Sequence, residues 1–124
     1  MSWSLAAAVA LGGALGAPLR LLIDTRVTRA MNRAEHPFPW GLLVVNALGS
    51  LFIGIAYASI DGPWRALIAT GACGALTTYS SYALFIHNSW RTNPRVAWQA
   101  SVVMPVVCIT LCASAVAATR ALLG

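Results

Sequence analysis

The sequence predicts an all-α integral membrane protein with four transmembrane helices in a single domain, residues 1–124. Hydrophobic residues make up 59% of the chain and charged residues only 9%, whereas about 25% of the residues in a soluble domain are charged. The charged residues lie between or beside four long apolar runs, and a spanning helix needs about 20 apolar residues. Four spans with short connections would therefore use nearly the whole chain.

Tryptophans mark the ends of the predicted spans. Their rings are favoured at the membrane–water interface, and Trp40, Trp64 and Trp90 each lie near the end of an apolar run. The longest connection, residues 24–39, carries arginines at near-helical spacing, which predicts an interfacial turn of helix. The four predicted spans are Trp3 to Ile23, Trp40 to Ile60, Trp64 to Asn88 and Val96 to Leu123.

The first apolar run is expected to be retained as a helix. A signal peptide places its basic residues before the apolar stretch, whereas Arg20 follows this one and no Lys or Arg precedes Leu5. The positive-inside rule assigns the side richer in arginine to the cytoplasm, which predicts that both termini lie outside it. The richer side carries Arg26, Arg29, Arg33, Arg91 and Arg95, and the other side carries Arg65 and Arg120.

Six consecutive hydroxyl side chains, Thr77 to Tyr82, interrupt the third span directly after a glycine-rich stretch, Gly71 to Gly74. Non-helical backbone at membrane depth is tolerated only where protein or a water-filled cavity surrounds it, and broken helices there often build ion sites. We therefore predict that the third helix is broken mid-membrane, between Gly74 and Ser80. The alternative is an intact helix whose hydroxyls bond back to their own carbonyls.

Three further side chains are candidates for an anion path. Asn46 is the only amide inside the second span, and its N–H groups are donors that could face an anion; the alternative is that it joins two helices. Tyr79 and Tyr82 are three residues apart and share one face of a helix. The edges of aromatic rings carry the positive side of the quadrupole, so the two rings could line an anion path instead of packing as ordinary core aromatics.

The positions of the acidic residues exclude several function classes. Proton-coupled carriers need an ionisable residue within the membrane, yet Asp24, Glu35 and Asp61 all lie at span boundaries. An intramembrane enzyme is disfavoured as well, because the sequence offers no acid–base pair and no nucleophile with a plausible base. A passive channel is the class that remains.

Three segments of the chain resemble the Fluc (CrcB) family of fluoride channels, and the resemblance covers essentially the whole sequence. In the first span, GGALGAPLR resembles the family's glycine-rich opening with its arginine. In the second span, GLLVVNALGS is similar to the pattern GT-x-x-VN-x-x-GS. In the third span, GACGALTTYSSY is similar to G-x-x-GG-x-TTFSTF. The segments are Gly12 to Arg20, Gly41 to Ser50 and Gly71 to Tyr82.

The resemblance implies an antiparallel dimer with dual topology in the inner (plasma) membrane, and two narrow pores that pass fluoride. In the family, an aromatic pair and the second-span asparagine line each pore. Carried onto this sequence, the pore and anion-binding candidates are Asn46, Tyr79, Tyr82, Ser80 and Cys108. The family also binds a structural Na⁺ at the dimer centre through backbone carbonyls, and Gly74 and Thr77 occupy those positions.

Several pore positions depart from the family pattern. Both phenylalanines of the family are tyrosines here, and the second-span threonine is Leu42. The fourth-span serine aligns with Cys108, with Ser101 as a second candidate. Leu42 lacks a hydrogen-bond donor and a thiol is a weak one. We expect the hydroxyls of Tyr79 and Tyr82 to compensate in part, so that replacing both tyrosines with Phe lowers fluoride flux.

These observations lead to one functional hypothesis and two alternatives. The hypothesis is a fluoride channel that exports cytoplasmic fluoride down its electrochemical gradient as a homodimer. The first alternative is a structural or degenerate subunit of a heterodimer with a paralogous chain, which the departures at the pore positions would explain. The weaker alternative is a small proton-coupled exporter of similar length and span count.

Overall fold

The computed structural model describes residues 2–32 and 37–124, and these residues are almost entirely helical. Helices α1, α2 and α6 are each long and apolar enough to cross a membrane, which confirms the predicted class, a multi-pass all-helical membrane protein. The elements are α1 (Trp3–Asn32), α2 (Trp40–Ser59), α3 (Gly62–Arg65), the π-helix π1 (Ala66–Cys73), α4 (Gly74–Leu76), α5 (Tyr79–Thr92) and α6 (Pro94–Leu123).

The predicted third span consists of α3, π1 and α4, then two extended residues, then α5. Helical backbone continues through Gly74, with φ −62° and ψ −35°. It ends at Thr77, where ψ is 154°, and Thr78 is also extended, with φ −150° and ψ 118°. Both extended residues lie inside the stretch of hydroxyl side chains.

Helix α1 differs from its predicted length. The sequence predicts an end at Ile23 and a turn of helix in the connection, but α1 continues without interruption to Asn32. The extension contains no Gly or Pro to end the helix, and its charged residues place it beyond the apolar span. Arg33 and Glu35, which the sequence assigned to the connection and the span boundary, lie outside the described residues.

Glycines allow α1 and π1 to pack backbone against backbone. A Cβ atom on Gly12 would overlap the carbonyl oxygen of Leu67, and one on Gly16 would overlap the carbonyl oxygen of Ala72. Gly71 of π1 faces α1 in the same way, with the Cα of Gly12 2.9 Å from its Cβ position. Small residues permit this close approach where the hydrophobic effect does not drive helices together.

A small apolar core lies between α2, α4 and α6. Its buried members are Leu42, Val45, Leu76, Ala100 and Met104. Many large apolar side chains point outward instead, on α1 and α6 above all, with Leu15 69% and Ile109 68% exposed. A helix that is apolar on its outer face as well as its inner one is typical of a membrane span.

Candidate functional site

A cavity of about 340 Å³ lies where α2, α6 and the start of α5 meet the extended residues. It contains four of the five candidate anion-binding residues that the sequence indicated. The lining residues are Asn46, Ser50, Ile53, Thr77, Thr78, Tyr79, Tyr82, Met104, Pro105 and Cys108. None of these ten side chains is a carboxylate, a histidine, a lysine or an arginine.

Asn46 connects α2 to the extended residues by two hydrogen bonds. The backbone N–H of Thr78 donates to Asn46 Oδ1 at 2.7 Å, and Asn46 Nδ2 donates to the Thr78 carbonyl at 3.4 Å. In a continuous helix that N–H would donate to the carbonyl of Gly74, four residues earlier. Asn46 therefore replaces a backbone bond, and the second hydrogen of its Nδ2 remains for another acceptor.

Thr78 caps the helix that follows it. Its Oγ1 accepts a hydrogen bond from the N–H of Ser81 at 3.3 Å, the bond that threonine makes at a helix N-cap. The same oxygen lies 3.1 Å from Ser81 Oγ and 3.3 Å from Ser80 Oγ. Because the Ser81 N–H is directed to this side chain, the carbonyl of Thr77 loses the donor that a continuous helix would give it.

The two candidate tyrosines form one wall of the cavity, with ring centroids 5.7 Å apart and ring planes tilted by 47°. Their hydroxyls have different surroundings. The Tyr82 hydroxyl donates to the carbonyl of Ser101 at 3.1 Å, which ties α5 to α6. Tyr79 is 79% exposed, and no hydrogen bond from its hydroxyl is formed within the described residues.

The remaining pore positions named from the sequence do not line this cavity. Ser80 is exposed and does not line it. Leu42 is buried in the apolar core and borders a second cavity of about 370 Å³, together with Asp24 and Ser81. The hydroxyl of Ser101, the second candidate for the fourth-span serine, donates to the Trp98 carbonyl at 2.8 Å.

Of the two positions proposed for sodium binding, Gly74 is the first residue of α4 and Thr77 is the first extended residue. Gly74 is exposed. Thr77 lines the cavity, and both its hydroxyl and its N–H donate to the Cys73 carbonyl, at 3.1 Å and 2.9 Å. The described residues contain no group of three or more His, Cys, Asp or Glu side chains that could hold a metal.

Sequence reasoning missed Thr78 and Pro105 as cavity residues. Thr78 belongs to the run of hydroxyl residues, but its role as cap and as partner of Asn46 depends on where the helix stops. For Pro105 the sequence does contain a signal. A proline inside a helix leaves the carbonyl four residues earlier without a donor, so Pro105 marks Ser101 as an acceptor.

Comparison with known proteins agrees with the family resemblance. Residues 7–120 match the family described as "CrcB-like protein, Camphor Resistance (CrcB)". A protein of Hahella chejuensis named "Fluoride-specific ion channel FluC" is 38% identical over 122 residues, covering 93% of this chain and 94% of the relative. A protein of Photobacterium profundum with the same name is 43% identical over 82 residues, covering 61% of this chain and 62% of the relative.

A third relative, from Nocardia farcinica, is named "Fluoride-specific ion channel FluC 1" and is 48% identical over 77 residues, covering 61% of this chain and 52% of the relative. The family match overlaps all four predicted helical spans and includes the asparagine, the hydroxyl run and the cysteine of the cavity. This chain therefore belongs to the CrcB family.

Proposed function

We propose that this chain is a subunit of a fluoride-selective channel that exports cytoplasmic fluoride down its electrochemical gradient, through the inner (plasma) membrane. The observation that carries the proposal is the uncharged cavity in which the amide of Asn46 and the rings of Tyr79 and Tyr82 meet. The names of the relatives, which are those of fluoride-specific ion channels and not of enzymes, support the same function.

The cavity offers groups that suit a small anion. One N–H of Asn46 is not needed for its bond to Thr78, the Tyr79 hydroxyl is exposed, and aromatic ring edges carry positive potential. No carboxylate lines this cavity to repel an anion. The same absence among the lining residues gives no support to a proton-coupled exporter, which needs an ionisable carboxylate or histidine on the path.

The proposed working unit is an antiparallel homodimer with dual topology, in which the two extended residues of each chain lie mid-membrane. The apolar outer faces of α1 and α6 supply surface for a partner as well as for lipid. Thr77 and Thr78 lie beside a cavity and a neighbouring helix, which is where non-helical backbone is tolerated at membrane depth.

A structural Na⁺ is the second part of the proposal. Gly74 and Thr77 have both lost the amides that would bond their carbonyls in a continuous helix, because those amides donate to Asn46 and Thr78. Free carbonyl oxygens suit a hard cation, so the two residues fit the role. Bound between two chains, the cation would stabilise the dimer, and exchanging Na⁺ for N-methylglucamine is expected to lower the dimer fraction in detergent. An unchanged dimer fraction would contradict a structural role for sodium.

A heterodimer with a paralogous chain is the alternative that a specific observation favours. The Tyr82 hydroxyl is bonded to Ser101 and Leu42 is buried in the core, so two family pore positions contribute no free donor here. Relatives in two organisms carry the numbered names FluC 1 and FluC 2. In such an assembly this chain would contribute mainly structure, and the partner would provide most of the working pore groups.

Efflux from liposomes tests these possibilities. Vesicles holding the purified chain and potassium fluoride should release fluoride when valinomycin lets potassium leave, and vesicles loaded with potassium chloride should retain chloride. Release only after a paralogous chain is co-reconstituted would support the heterodimer. Release that requires a proton gradient would support the exporter. Protein that is folded and dimeric but passes no fluoride, alone or with a paralogue, would overturn the proposed function.

A further inference from the structure

Pro105 leaves a gap in the hydrogen bonding of α6 beside the cavity. It lies in the interior of a 30-residue helix and has no backbone N–H. The carbonyl four residues earlier is that of Ser101, so this oxygen lacks the N–H that a continuous α-helix would give it. A carbonyl left without a partner away from water costs free energy comparable to a lost hydrogen bond, and a second element must supply one.

The donor comes from α5. The hydroxyl of Tyr82 lies 3.1 Å from the carbonyl oxygen of Ser101, and Tyr82 and Pro105 both line the cavity. The bond joins residues 19 positions apart, so it fixes the position of α5 relative to α6. Asn46 makes the corresponding connection to α2, through its two bonds with Thr78.

We infer that the Tyr82 hydroxyl substitutes for the amide that Pro105 lacks, and that Tyr82 is a positioning residue for the aromatic wall and not an anion donor. The inference rests on the proposed function, because that function supplies the anion path that Tyr82 lines. The two tyrosines then have different roles, since only Tyr79 of the pair retains a hydroxyl that can donate to an anion. Removing the Tyr82 hydroxyl leaves the Ser101 carbonyl without a partner at the cavity wall, where its partial negative charge opposes an anion.

The test is a cycle of substitutions. Tyr82→Phe is made alone, with Pro105→Ala and with Pro18→Ala. Alanine at 105 restores the missing N–H, so that Ser101 has a donor again. Pro18 is also a proline in a helix interior, but it is distant in sequence and absent from the cavity lining, which makes it the matched control. Tyr57→Phe, at a tyrosine that is 55% exposed on α2, controls for the loss of a phenol hydroxyl.

Two quantities are measured, the Tm of the purified protein in detergent and the rate of fluoride efflux. Tyr82→Phe is expected to lower the Tm by about 4 °C and the efflux rate about fivefold, the ratio that corresponds to one hydrogen bond of ordinary net strength. Adding Pro105→Ala should recover at least half of both losses. Adding Pro18→Ala should recover neither, and Tyr57→Phe should change neither quantity.

Several results would overturn the inference. The first is a Tm for Tyr82→Phe equal to that of Tyr57→Phe. The second is that Pro18→Ala restores the Tm and efflux rate as much as Pro105→Ala does. The third is an efflux rate that rises when the Tyr82 hydroxyl is removed. If Tyr82→Phe alone does not fold, the pair with Pro105→Ala must fold, and failure of both contradicts the inference. The Tm cycle needs no fluoride passage, so wild-type protein without efflux would overturn the proposed function while the cycle still decides the role of Tyr82.

Discussion

The two halves of the third segment are held against their neighbours by different means. Before the extended residues, π1 meets α1 at Gly12 and Gly16, and the contact is backbone against backbone. After them, side chains make the connections: Asn46 bonds to Thr78 on the α2 side, and Tyr82 bonds to α6. The first half depends on the absence of side chains, and the second half depends on particular polar ones.

The difference follows from what each backbone lacks. A π-helix satisfies its own N–H and C=O groups internally, so π1 needs only a surface flat enough to pack on. The extended residues, and α6 at Pro105, have lost internal bonds, and each lost bond must be replaced from outside. Steric substitutions should therefore damage the first half, and substitutions that remove a donor or an acceptor should damage the second.

The largest effect is expected from adding a side chain to the close contact. Gly12→Val places carbon atoms where the carbonyl of Leu67 and the amide of Ala72 lie, and backbone atoms cannot move aside as a flexible side chain can. We expect a loss of more than about 3 kcal/mol in the free energy of unfolding. Size-exclusion elution and thermal unfolding of the purified protein in detergent would measure it.

Gly13 provides the control for that prediction. It is adjacent in sequence, yet a Cβ atom there meets nothing within 4 Å. Gly13→Val should keep the elution profile and Tm of the wild type. If Gly12→Val is tolerated as well as Gly13→Val, the contact between α1 and π1 is not held by steric fit.

In the second half, which is held by polar side chains, Asn46→Asp should reduce anion passage without unfolding the protein. The aspartate keeps an oxygen for the N–H of Thr78, so the protein should still fold. It loses both amide donors and places a negative charge beside the path of the anion. Two like charges about 4 Å apart repel by about 4 kcal/mol at an effective dielectric constant of about 20, and each 1.4 kcal/mol is about a factor of ten, so fluoride efflux should fall at least about 100-fold.

Asn88→Asp is the matched control, because Asn88 is exposed on α5 and does not line the cavity. It makes the same chemical change without a charge on the path, and its efflux should equal that of the wild type. Wild-type efflux from folded Asn46→Asp protein would mean that Asn46 only joins two helices.

The position of the extended residues and several side chains of the cavity could be predicted from the sequence. Six consecutive hydroxyl residues after a glycine-rich stretch placed the backbone irregularity within a few residues of Thr77 and Thr78. The periodicity of a helix put Tyr79 and Tyr82 on one face, and the family pattern selected Asn46. These features could be named in advance because they depend on local spacing or on a motif; that Asn46, Tyr79 and Tyr82 serve an anion path stays a prediction.

Other features could not be predicted, because they depend on how the helices are rotated and where they end outside the apolar region. Hydropathy gives the length of the apolar part of α1 but not its polar extension to Asn32. The bond from Tyr82 to Ser101 requires the relative rotation of α5 and α6, which no spacing reports. Ser80 belongs to the same hydroxyl run as Thr78, yet it is exposed and does not line the cavity.

A smaller effect is expected at the cap of α5. Thr78→Val removes the oxygen that accepts from the N–H of Ser81 and leaves that N–H without its partner. Loss of an N-cap typically costs about 1 kcal/mol, and thermal unfolding should report it. Ser80→Ala, at an exposed neighbour whose hydroxyl lies 3.3 Å from that of Thr78, should change the stability by less than about 0.5 kcal/mol. Equal losses for the two variants would mean that the cap is not what orders the start of α5.

The smallest effect concerns the donor that Cys108 contributes to the cavity wall. A thiol is a weak donor and a hydroxyl a good one, so Cys108→Ser should stabilise fluoride in the path and raise the efflux rate. The gain is limited because a serine within a helix also bonds back to the carbonyl one turn earlier, which here belongs to Met104. We expect an increase in the efflux rate of about twofold, at the lower end of what one net hydrogen bond provides.

Cys112→Ser makes the same change one turn further along α6, outside the cavity lining, and should leave the efflux rate unchanged. Equal rates for the two serine variants would show that Cys108 does not donate to the ion, and that the free donors of the cavity are those of Asn46 and Tyr79.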